Sequence, residues 1–582
     1  MHSFARATIK KGKTLHIVFL LWQVNICSTA LCCFICKGGR NIKHSWAARK
    51  NPCQDFVKTI EELSGSSEEE ILFPTDTAPD DIENMKNAAN RVLDAIKTGE
   101  KICVFGDYDA DGVCSMAILF LLLSHLKEKL DSKSEITIRP PRRLSEGYGI
   151  SQKAVDEVGQ GLLITVDNGI SAVEEITKAK EKGITVIVLD HHLPGNNLPP
   201  ADIIVDPHLH PDKNGFEDFC GAGLAFKLAE SLTSNEELMK KLSAIAAIGT
   251  IADVVKLHGA NRVIVQKGLR AMNERQVTQG LKSLIDACEF TSINEENVAF
   301  KLAPVLNAPG RLHDDGARYS SACLAQDKKP MPGLAQQLVS VNEDRKRIVN
   351  EAYDIVMKNI KLPPLGPVIV HMPQLHEGIV GIVAGKLSES LKVPAYVFTG
   401  KDELKGSGRS GIKGFNLYDF TSTANQFLSR FGGHAGAVGV SVREKDFESF
   451  RERLERVYHE LDIGADDSIY YDIEIKPDEV CEYIEKQKIY EPFGEGIPKP
   501  VFLIRNVPLI AKYGEYVTYI GKNREHLKFV TKGYSLVGFS MAHQYVQEGK
   551  PRKIDVIGRI GMNESRYGSF PQVEIIDFSS SM

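Results

Sequence analysis

The sequence has no arrangement of cysteines that could staple a fold or build a zinc site. Four of its 11 cysteines, Cys27, Cys32, Cys33 and Cys36, lie in the first fifty residues, and the other seven are scattered without paired spacing. This usage excludes a disulfide framework and points to a reducing compartment, the cytoplasm. Cys32 and Cys36 lack a second Cys/His pair at zinc-finger distance. Cys103 and Cys114, inside apolar runs, read as small apolar residues. A dominant charge is also missing: the net charge of −5 argues neither for nor against nucleic acid. The balance is uneven, however. Residues 501–582 hold 11 Lys/Arg against 7 Asp/Glu, a local +4 that leaves −9 for the remainder.

The chain also lacks a clean secretory signal. Arg6, Lys10, Lys11 and Lys13 precede a mostly apolar run from Leu15 to Cys36, which imitates a signal sequence or membrane anchor. Gln23 and Asn25 interrupt that run, and no A-x-A site follows it. Residues 1–50 read instead as a nonessential or wrongly assigned extension. The remaining length, in a chain of 582 residues with 43% apolar and 25% charged content, suits a soluble protein of roughly four domains.

What is present is a concentration of acid. Gly106-Asp107-Tyr108-Asp109-Ala110-Asp111-Gly112 places three carboxylates in five residues after the apolar run Ile102–Phe105. Like charges this close repel unless a cation lies between them, and carboxylate oxygens suit Mg, Mn and Ca. A calcium loop of the D-x-D-x-D-G type needs a glutamate where this chain has Ile118. Asp109-Ala110-Asp111-Gly112-Val113 also has the D-x-D-x-[TV] form of an aspartyl-phosphate nucleophile, and a lone acidic cluster can be a solvated turn.

The following chain separates these readings. Ile102–Phe105, Leu162–Val166 and Ile184–Leu189 are continuous apolar runs, as expected for strands buried on both faces of a parallel sheet. Each stops at an acid: Asp107, Asp167 and Asp190. A helix is predicted over Met116–Leu130, with Ser115 as its N-cap. Sites in open parallel sheets form outside the carboxyl ends of the strands, so Asp109, Asp111 and Asp167 are candidates for one site. The third run supplies Asp190-His191-His192. The apolar stretch Ala244–Ala252 closes on Asp253, a fifth candidate ligand.

GDYDADG, VDNG, LDHH and GTIAD, in this order, resemble the DHH phosphoesterase family and its RecJ single-strand exonuclease branch. An aspartyl-phosphate nucleophile explains neither the His pair nor Asp253. The resemblance implies that Asp109, Asp111, Asp167, His191 and Asp253 hold two divalent ions, Mn²⁺ in preference or Mg²⁺, with Asp167 bridging. It implies that Asp107 and His192 support the metals and contact the scissile phosphate. Many relatives outside the branch have a histidine where this chain has Phe105, so one metal position rests partly on Asp107.

Arg139–Gly149 resembles the branch's P-x-R-x-x-E-G-Y-G loop, which implies Arg143 on a phosphate. Pro304–Arg311 resembles N-A-x-G-R, which implies Asn307 and Arg311 along the nucleic-acid path. Residues 333–361 read as one long helix, with Leu334, Leu338, Val341, Ile348, Ala352 and Val356 on an apolar stripe, stopped by Pro363 and Pro364. The next block opens with strand Val368–Val370 and contains Gly406-Ser407-Gly408-Arg409-Ser410. It also carries Gly432-Gly433-His434-Ala435-Gly436-Ala437-Val438-Gly439, which matches the GGHxxAxG signature of the DHH-associated domain. Glycines admit close backbone approach, and Ser and Arg donors suit phosphate oxygens. By resemblance, Ser407 and Arg409 join Arg143 on a 5′-terminal phosphate, with Gly433 and His434 also at the substrate.

The C-terminal stretch turns to short alternating segments, Val501–Ile504, Tyr516–Ile520, His526–Val530 and Lys553–Ile560, which predict a small β-barrel. Its basic balance goes with 11 aromatics, the composition an OB-fold uses to track single strands. Pro492–Pro498 resembles the branch's P-F-G-x-G-N-P junction, with Ile497 in place of Asn.

The expected fold class is α/β: a parallel-sheet DHH domain linked by a long helix to a DHH-associated α/β domain, then a β-barrel OB-fold. The expected divisions are an extension at 1–50, a helical lead-in at 51–95, the DHH domain at 96–330, the connecting helix at 331–362, the DHH-associated domain at 363–462 and the OB-fold at 463–582. The function implied is metal-dependent 5′→3′ degradation of single-stranded DNA to mononucleotides, in repair and recombination. The enzyme would be a monomer, without membrane association, fed by a single-strand-binding protein and a helicase. The alternatives are a phosphodiesterase of short oligoribonucleotides or nucleotide phosphates, and a non-catalytic DNA-binding scaffold of a replication complex.

Overall fold

The computed structural model describes residues 45–49, 55–147, 149–211, 215–461, 468–521, 523–565 and 568–581. The N-terminal extension up to residue 44, with its four cysteines, and also Tyr148 and Tyr567, lie outside the described residues.

The first domain is a five-stranded parallel sheet. Its strands are β1 (Ile102–Gly106), β2 (Ile136–Ile138), β3 (Leu162–Val166), β4 (Thr185–Leu189) and β5 (Ile203–Val205), in the spatial order β2-β1-β3-β4-β5. Both faces of β1 and β3 are buried along their whole length, which is why their sequences run apolar without alternation. In-register pairing of Gly106 with Val166, and of Val166 with Leu189, ends the three central strands at one level. Asp107, Asp167 and Asp190 therefore emerge side by side.

Helix α1 (Ala110–Lys129) begins six residues before the predicted start, and its N-cap is Asp109, whose side chain accepts from the Gly112 N–H. The metal-site motif and the helix cap are the same residues, so the acids that repel one another also face the positive end of a helix. Ser115 lies inside α1 and its hydroxyl donates to the Asp111 carbonyl. Helix α1 is long and apolar enough to cross a membrane, but it is the core of this domain, packed by α2 (Gly221–Leu232) and α3 (Glu236–Ala252). Next come α4 (Gly259–Asn273) and α5 (Ala303–Leu312), the latter continuing a π-helical turn at Val298–Leu302.

The connecting helix α6 spans Pro332–Asn359, two residues shorter at its C-terminus than the pattern suggested. The second domain holds β6 (Val368–His371), α7 (Val380–Leu391), β7 (Ala395–Thr399), β8 (Glu403–Arg409), β9 (Leu428–His434) and β10 (Ala437–Arg443), with strand order β9-β10-β8-β7-β6.

The C-terminal OB domain is a seven-stranded sheet. In chain order its strands are β11 (Ile473–Ile475), β12 (Phe502–Pro508), β13 (Val517–Ile520), β14 (His526–Val530), β15 (Ser535–Gly538), β16 (Lys553–Ser565) and β17 (Gly568–Ser580). Strands β11, β15 and β17 went unpredicted. Of the aromatics, Phe502, Phe529, Tyr534, Tyr545 and Phe578 are buried, whereas Tyr513, Phe539 and Phe570 are exposed. Ile497, the departure at the junction, is buried in this domain's core. That core also takes Phe56, Ile60 and Ile71, whereas Ile82, Met85 and Val92 pack in the first domain. The lead-in segment is thus shared between the two cores.

Candidate metal centre

Three groups of ligand atoms lie within 4.8 Å of one another: Asp107, Asp109 and Asp167; Asp111, His191 and Asp253; and Asp167, His191 and His192. Asp167 and His191 each belong to two groups, so the seven residues form one continuous patch over the ends of β1, β3 and β4.

Each side chain is fixed by its element. Asp167 follows β3 with φ of +59°, a left-handed conformation that costs a non-glycine residue on the order of 1–3 kcal/mol and recurs at functional sites. Its Oδ1 lies 3.1 Å from His191 Nε2, and its buried Oδ2 has no hydrogen-bond partner among the described residues. Asp111 projects from the first turn of α1, and its two oxygens accept the N–H groups of Gly221 (2.6 Å) and Ala222 (2.9 Å) at the start of α2. Asp253 caps the C-terminus of α3 and stands 3.7 Å from His191 Nε2.

The electrostatics are those of an uncompensated cluster. Burial and the charge of Asp109 push Asp107 up to about 8 and Asp111 up to about 6. Burial, with Asp111 and Asp109, pushes Asp253 up to about 8. Asp167 is raised well above the usual carboxylate range, first by burial and then by Asp111. Burial and the neighbouring His192 hold His191 down to about 4, so its imidazole is neutral. His192 rises to about 9 because Asp190 binds it. Mutually repelling carboxylates, an orphaned buried oxygen and a neutral imidazole suit divalent cations, which would reverse every one of the raised carboxylate shifts.

Sequence reasoning missed four supports, two carboxylates and two glycines. Asp190 was legible only as a strand-end acid, yet it accepts from the His191 and His192 N–H groups and from the Ile170 N–H. Asp206 follows β5 as the same kind of strand-end carboxylate, with His208 beside it. Gly221 and Gly249 permit the close approach of α2 and α3 to the acids: a Cβ on Gly221 would stand 2.6 Å from Asp167 Cβ, and one on Gly249 would stand 2.6 Å from Asp111 Oδ1. The glycine in GTIAD was the signal for the second.

The predicted substrate residues fall into two sets. Arg143 stacks over Tyr108, 4.4 Å from the ring centroid, and its buried Nη1 has no partner among the described residues. Burial, and then the charge of Arg143, lower the Arg311 pKa, while the charges of Tyr108 and Asp109 act to raise it. Asn307 Oδ1 accepts the Ala110 N–H at 2.7 Å, fastening α5 to the start of α1. Ser407 and Arg409 form the second set on β8, where Arg409 Nη1 donates to Ser407 Oγ at 2.7 Å. A Cβ on Gly381, in the first turn of α7, would stand 2.9 Å from Arg409 Nη2, so this pair faces a helix N-terminus. Gly433 lies in the β9–β10 hairpin, where its φ of +142° and close packing on Val438 demand glycine. His434 is exposed, and its Nδ1 accepts the Gly436 N–H. None of Ser407, Arg409, Gly433 and His434 has a described hydrogen bond to the acidic patch.

Residues 101–250 match the family described as the DHH family, N-terminal domain; residues 366–460 match the DHHA1 domain; and residues 471–577 match the RecJ OB domain. The single-stranded-DNA-specific exonuclease RecJ of Bacillus subtilis is 36% identical over 524 residues, covering 86% of this chain; this chain spans 64% of that relative's length. The Haemophilus influenzae protein of the same name is 30% identical over 530 residues, covering 84% of this chain and 88% of its own. The crystal structure of RecJ from Thermus thermophilus in complex with Mn²⁺ superposes with a TM-score of 0.73 at 25% identity, covering 93% of this chain and 80% of its own. With the DHH, DHHA1 and OB blocks in the same order and the Haemophilus relative matched along most of its length, the chain belongs to the RecJ family.

Proposed function

We propose that the protein is a metal-dependent exonuclease that degrades single-stranded DNA 5′→3′ to mononucleotides, in DNA repair and recombination. The observation that carries this reading is the convergence of seven Asp and His side chains, from sequence positions 107 to 253, on the carboxyl ends of three parallel strands. Asp109, Asp111, Asp167, His191 and Asp253 are assigned as ligands of two ions, Mn²⁺ in preference or Mg²⁺, with Asp167 shared. Held by these residues, two such ions would supply Lewis acidity: they would lower the pKa of a bound water and neutralise charge developing on the phosphate oxygens.

The chain's own residues supply the rest. Asp107, buried beside Asp109 and Asp167, is assigned to support the metals and to hold a proton of the attacking water. His192, held protonated by Asp190, offers a donor to a non-bridging phosphate oxygen. Arg143 and Arg311 bring two fixed positive charges to the same rim, and Asn307 locks the acidic loop against α5. The Ser407–Arg409 pair at the start of α7 is assigned to the 5′-terminal phosphate, with Gly433 and His434 lining the same sheet; a helix N-terminus and an arginine both favour an anion. Holding the terminus at one place and cutting at another fixes both direction and product size.

The divisions at 50, 95, 330, 362 and 462 are assigned as functional units on the same grounds. The OB domain supports a polymeric substrate over short oligoribonucleotides, and the complete acidic patch supports catalysis over a scaffold role. All six described cysteines are free, as a reducing cytoplasm allows, and the enzyme is assigned as a monomer supplied with substrate by a helicase and a single-strand-binding protein. Digestion of 5′- and 3′-labelled single strands with Mn²⁺, Mg²⁺ or EDTA tests the reading. Metal-dependent release of label first from the 5′ end supports it; EDTA-resistant cleavage, or label released first from the 3′ end, overturns it.

A further inference from the structure

Beside the acidic patch lies a cleft of about 820 Å³ between the first domain and the OB domain. Its near wall is the end of α3 and the chain on either side of Asp253, from Ile251 to Val255, together with Asn307. It therefore adjoins the candidate metal centre through the chain neighbours of Asp253, although none of the seven residues of the patch itself lines it.

Two features of this wall are unusual. Phe300, in the π-helical turn that leads into α5, is 78% exposed although it is a large aromatic lining a cleft. Single π-turns within helices are rare and concentrate at functional sites. Val254, next to Asp253, has φ of +61°, a conformation that β-branched residues seldom adopt, and its side chain is 65% exposed. The turn that carries Phe300 is tied to the acidic loop through the bond from Ala110 N–H to Asn307 Oδ1, seven residues further along the same helical rod. The backbone that carries the ring is thus fastened to the same loop as the carboxylates.

The charge of the cleft identifies which part of a nucleic acid would enter it. Four glutamates, Glu295, Glu296, Glu495 and Glu574, line it against two cations, Lys499 and Arg559, and Lys499 is already paired with Glu296 at 2.8 Å. A phosphodiester backbone is repelled by such a lining, whereas nucleobases are neutral and have apolar faces. Exposed aromatic rings are the usual platform for bases of single strands.

We propose, resting on the exonuclease reading above, that Phe300 and Val254 form a base platform that holds the unpaired bases next to the scissile linkage while the backbone passes the carboxylates. In a duplex those base faces are stacked and paired, so the platform contributes to the choice of single strands. Phe300 is a positioning residue here, acting on the base and not on the reacting phosphorus.

The test uses the full-length protein and a 5′-phosphorylated 20-nucleotide oligothymidylate in which one abasic residue is moved position by position from the 5′ end. Binding is measured in EDTA and turnover in Mn²⁺. The wild type should lose roughly tenfold in affinity when the abasic residue reaches the platform. Phe300→Ala should lose about the same on the intact strand, with KM raised and kcat little changed, and should be indifferent to the abasic residue at that position. Phe300→Trp should restore affinity and show fluorescence quenching on binding. Because Phe300 is exposed, unchanged melting temperatures are expected and are checked first. If Phe300→Ala binds the intact strand as wild type does, or still senses the abasic residue at every position, the platform is refuted while the exonuclease reading stands. If the wild type itself degrades no single strand, the functional reading fails instead.

Discussion

Asp190 Oδ1 lies 2.7 Å from His192 Nδ1 and accepts the backbone N–H groups of both His191 and His192. One carboxylate therefore holds the His192 imidazole and the backbone that carries both histidines, while the His191 ring meets Asp167. Although burial works against its charge, the hydrogen bond and charge of His192 hold Asp190 below the usual carboxylate range. Asp190→Asn should remove most of the rise in His192 while leaving the turn intact. In the metal-free protein, NMR titration should find His192 near 9 in the wild type and closer to 6.5 in the variant. Hydrogen bonds to charged groups contribute about 1.5–3 kcal/mol, so with His192 no longer held protonated for the phosphate, Mn²⁺-dependent turnover should fall by roughly 10- to 100-fold. An unaltered His192 titration would show that Asp190 does not control it.

The cluster also makes the stability of the metal-free protein depend on pH in a specific direction. Asp111, Asp107 and Asp253 titrate at about 6, 8 and 8 in the folded chain, against about 3.9 for an unfolded aspartate. A group whose folded pKa is raised contributes stability below its unfolded pKa and loses that contribution as pH rises through the folded value. His192, raised to about 9, acts in the same sense. In EDTA, the melting temperature should therefore fall between pH 5.5 and pH 9. Mn²⁺ should raise it most at pH 9, where the carboxylates are fully charged. Thermal melts at the two pH values, with and without Mn²⁺, decide the matter, and a metal-free melting temperature that climbs across this window contradicts it.

The approach of α3 to α1 depends on Gly249. Its Cα faces Asp111, and an added Cβ would stand 2.5 Å from Ala222 Cβ and 2.6 Å from Asp111 Oδ1. Neither neighbour has room: Ala222 donates its N–H to Asp111, and Asp111 is fully buried. Gly249→Ala should push α2 or the acidic loop away and separate the ligand atoms of Asp111 and Asp253. Calorimetric titration should show Mn²⁺ affinity reduced by at least tenfold, with no change from the same substitution at exposed Gly333, where an added Cβ meets nothing. Equal Mn²⁺ affinity in wild type and Gly249→Ala would mean that the metal centre tolerates the displacement.

How far the sequence reveals this site follows from the kind of interaction. Asp107, Asp167 and Asp190 could be brought together on paper because a parallel sheet with buried faces announces itself by continuous apolar runs, and its strand ends must align. The start of α1 was misplaced because Asp111 and Gly112 have poor helical propensity; the tertiary contacts of Asp111 with α2 override it. The anchoring of α5 by Asn307, and the sharing of the lead-in between two cores, join residues some 200 to 430 positions apart and leave no local periodicity. Strands β15 and β17 were missed for a related reason: β17 mixes Pro571 and Gln572 into its pattern, and its pairing with β15 is parallel and non-local.

Arg262 is the largest fully buried side chain among the described residues, and its guanidinium is spent on backbone carbonyls: Nε donates to that of Ile71, Nη1 to that of Pro492 and Nη2 to that of Tyr490, each at 2.7 Å. One guanidinium on α4 thereby joins the first domain, the lead-in segment and the junction that opens the OB domain. Burial lowers its pKa to about 10, so it is charged at neutral pH. Arg262→Met keeps much of the volume but leaves three buried carbonyls without donors, at a cost of roughly 1–3 kcal/mol each. The variant should melt several degrees lower, and limited proteolysis should release a fragment beginning between residues 462 and 490 that the wild type resists. Arg262→Lys should recover only part of the loss, since one ammonium cannot match a fork aimed at three separate carbonyls. A variant that resists protease and melts as the wild type does would show that the OB domain is held by its apolar contacts alone.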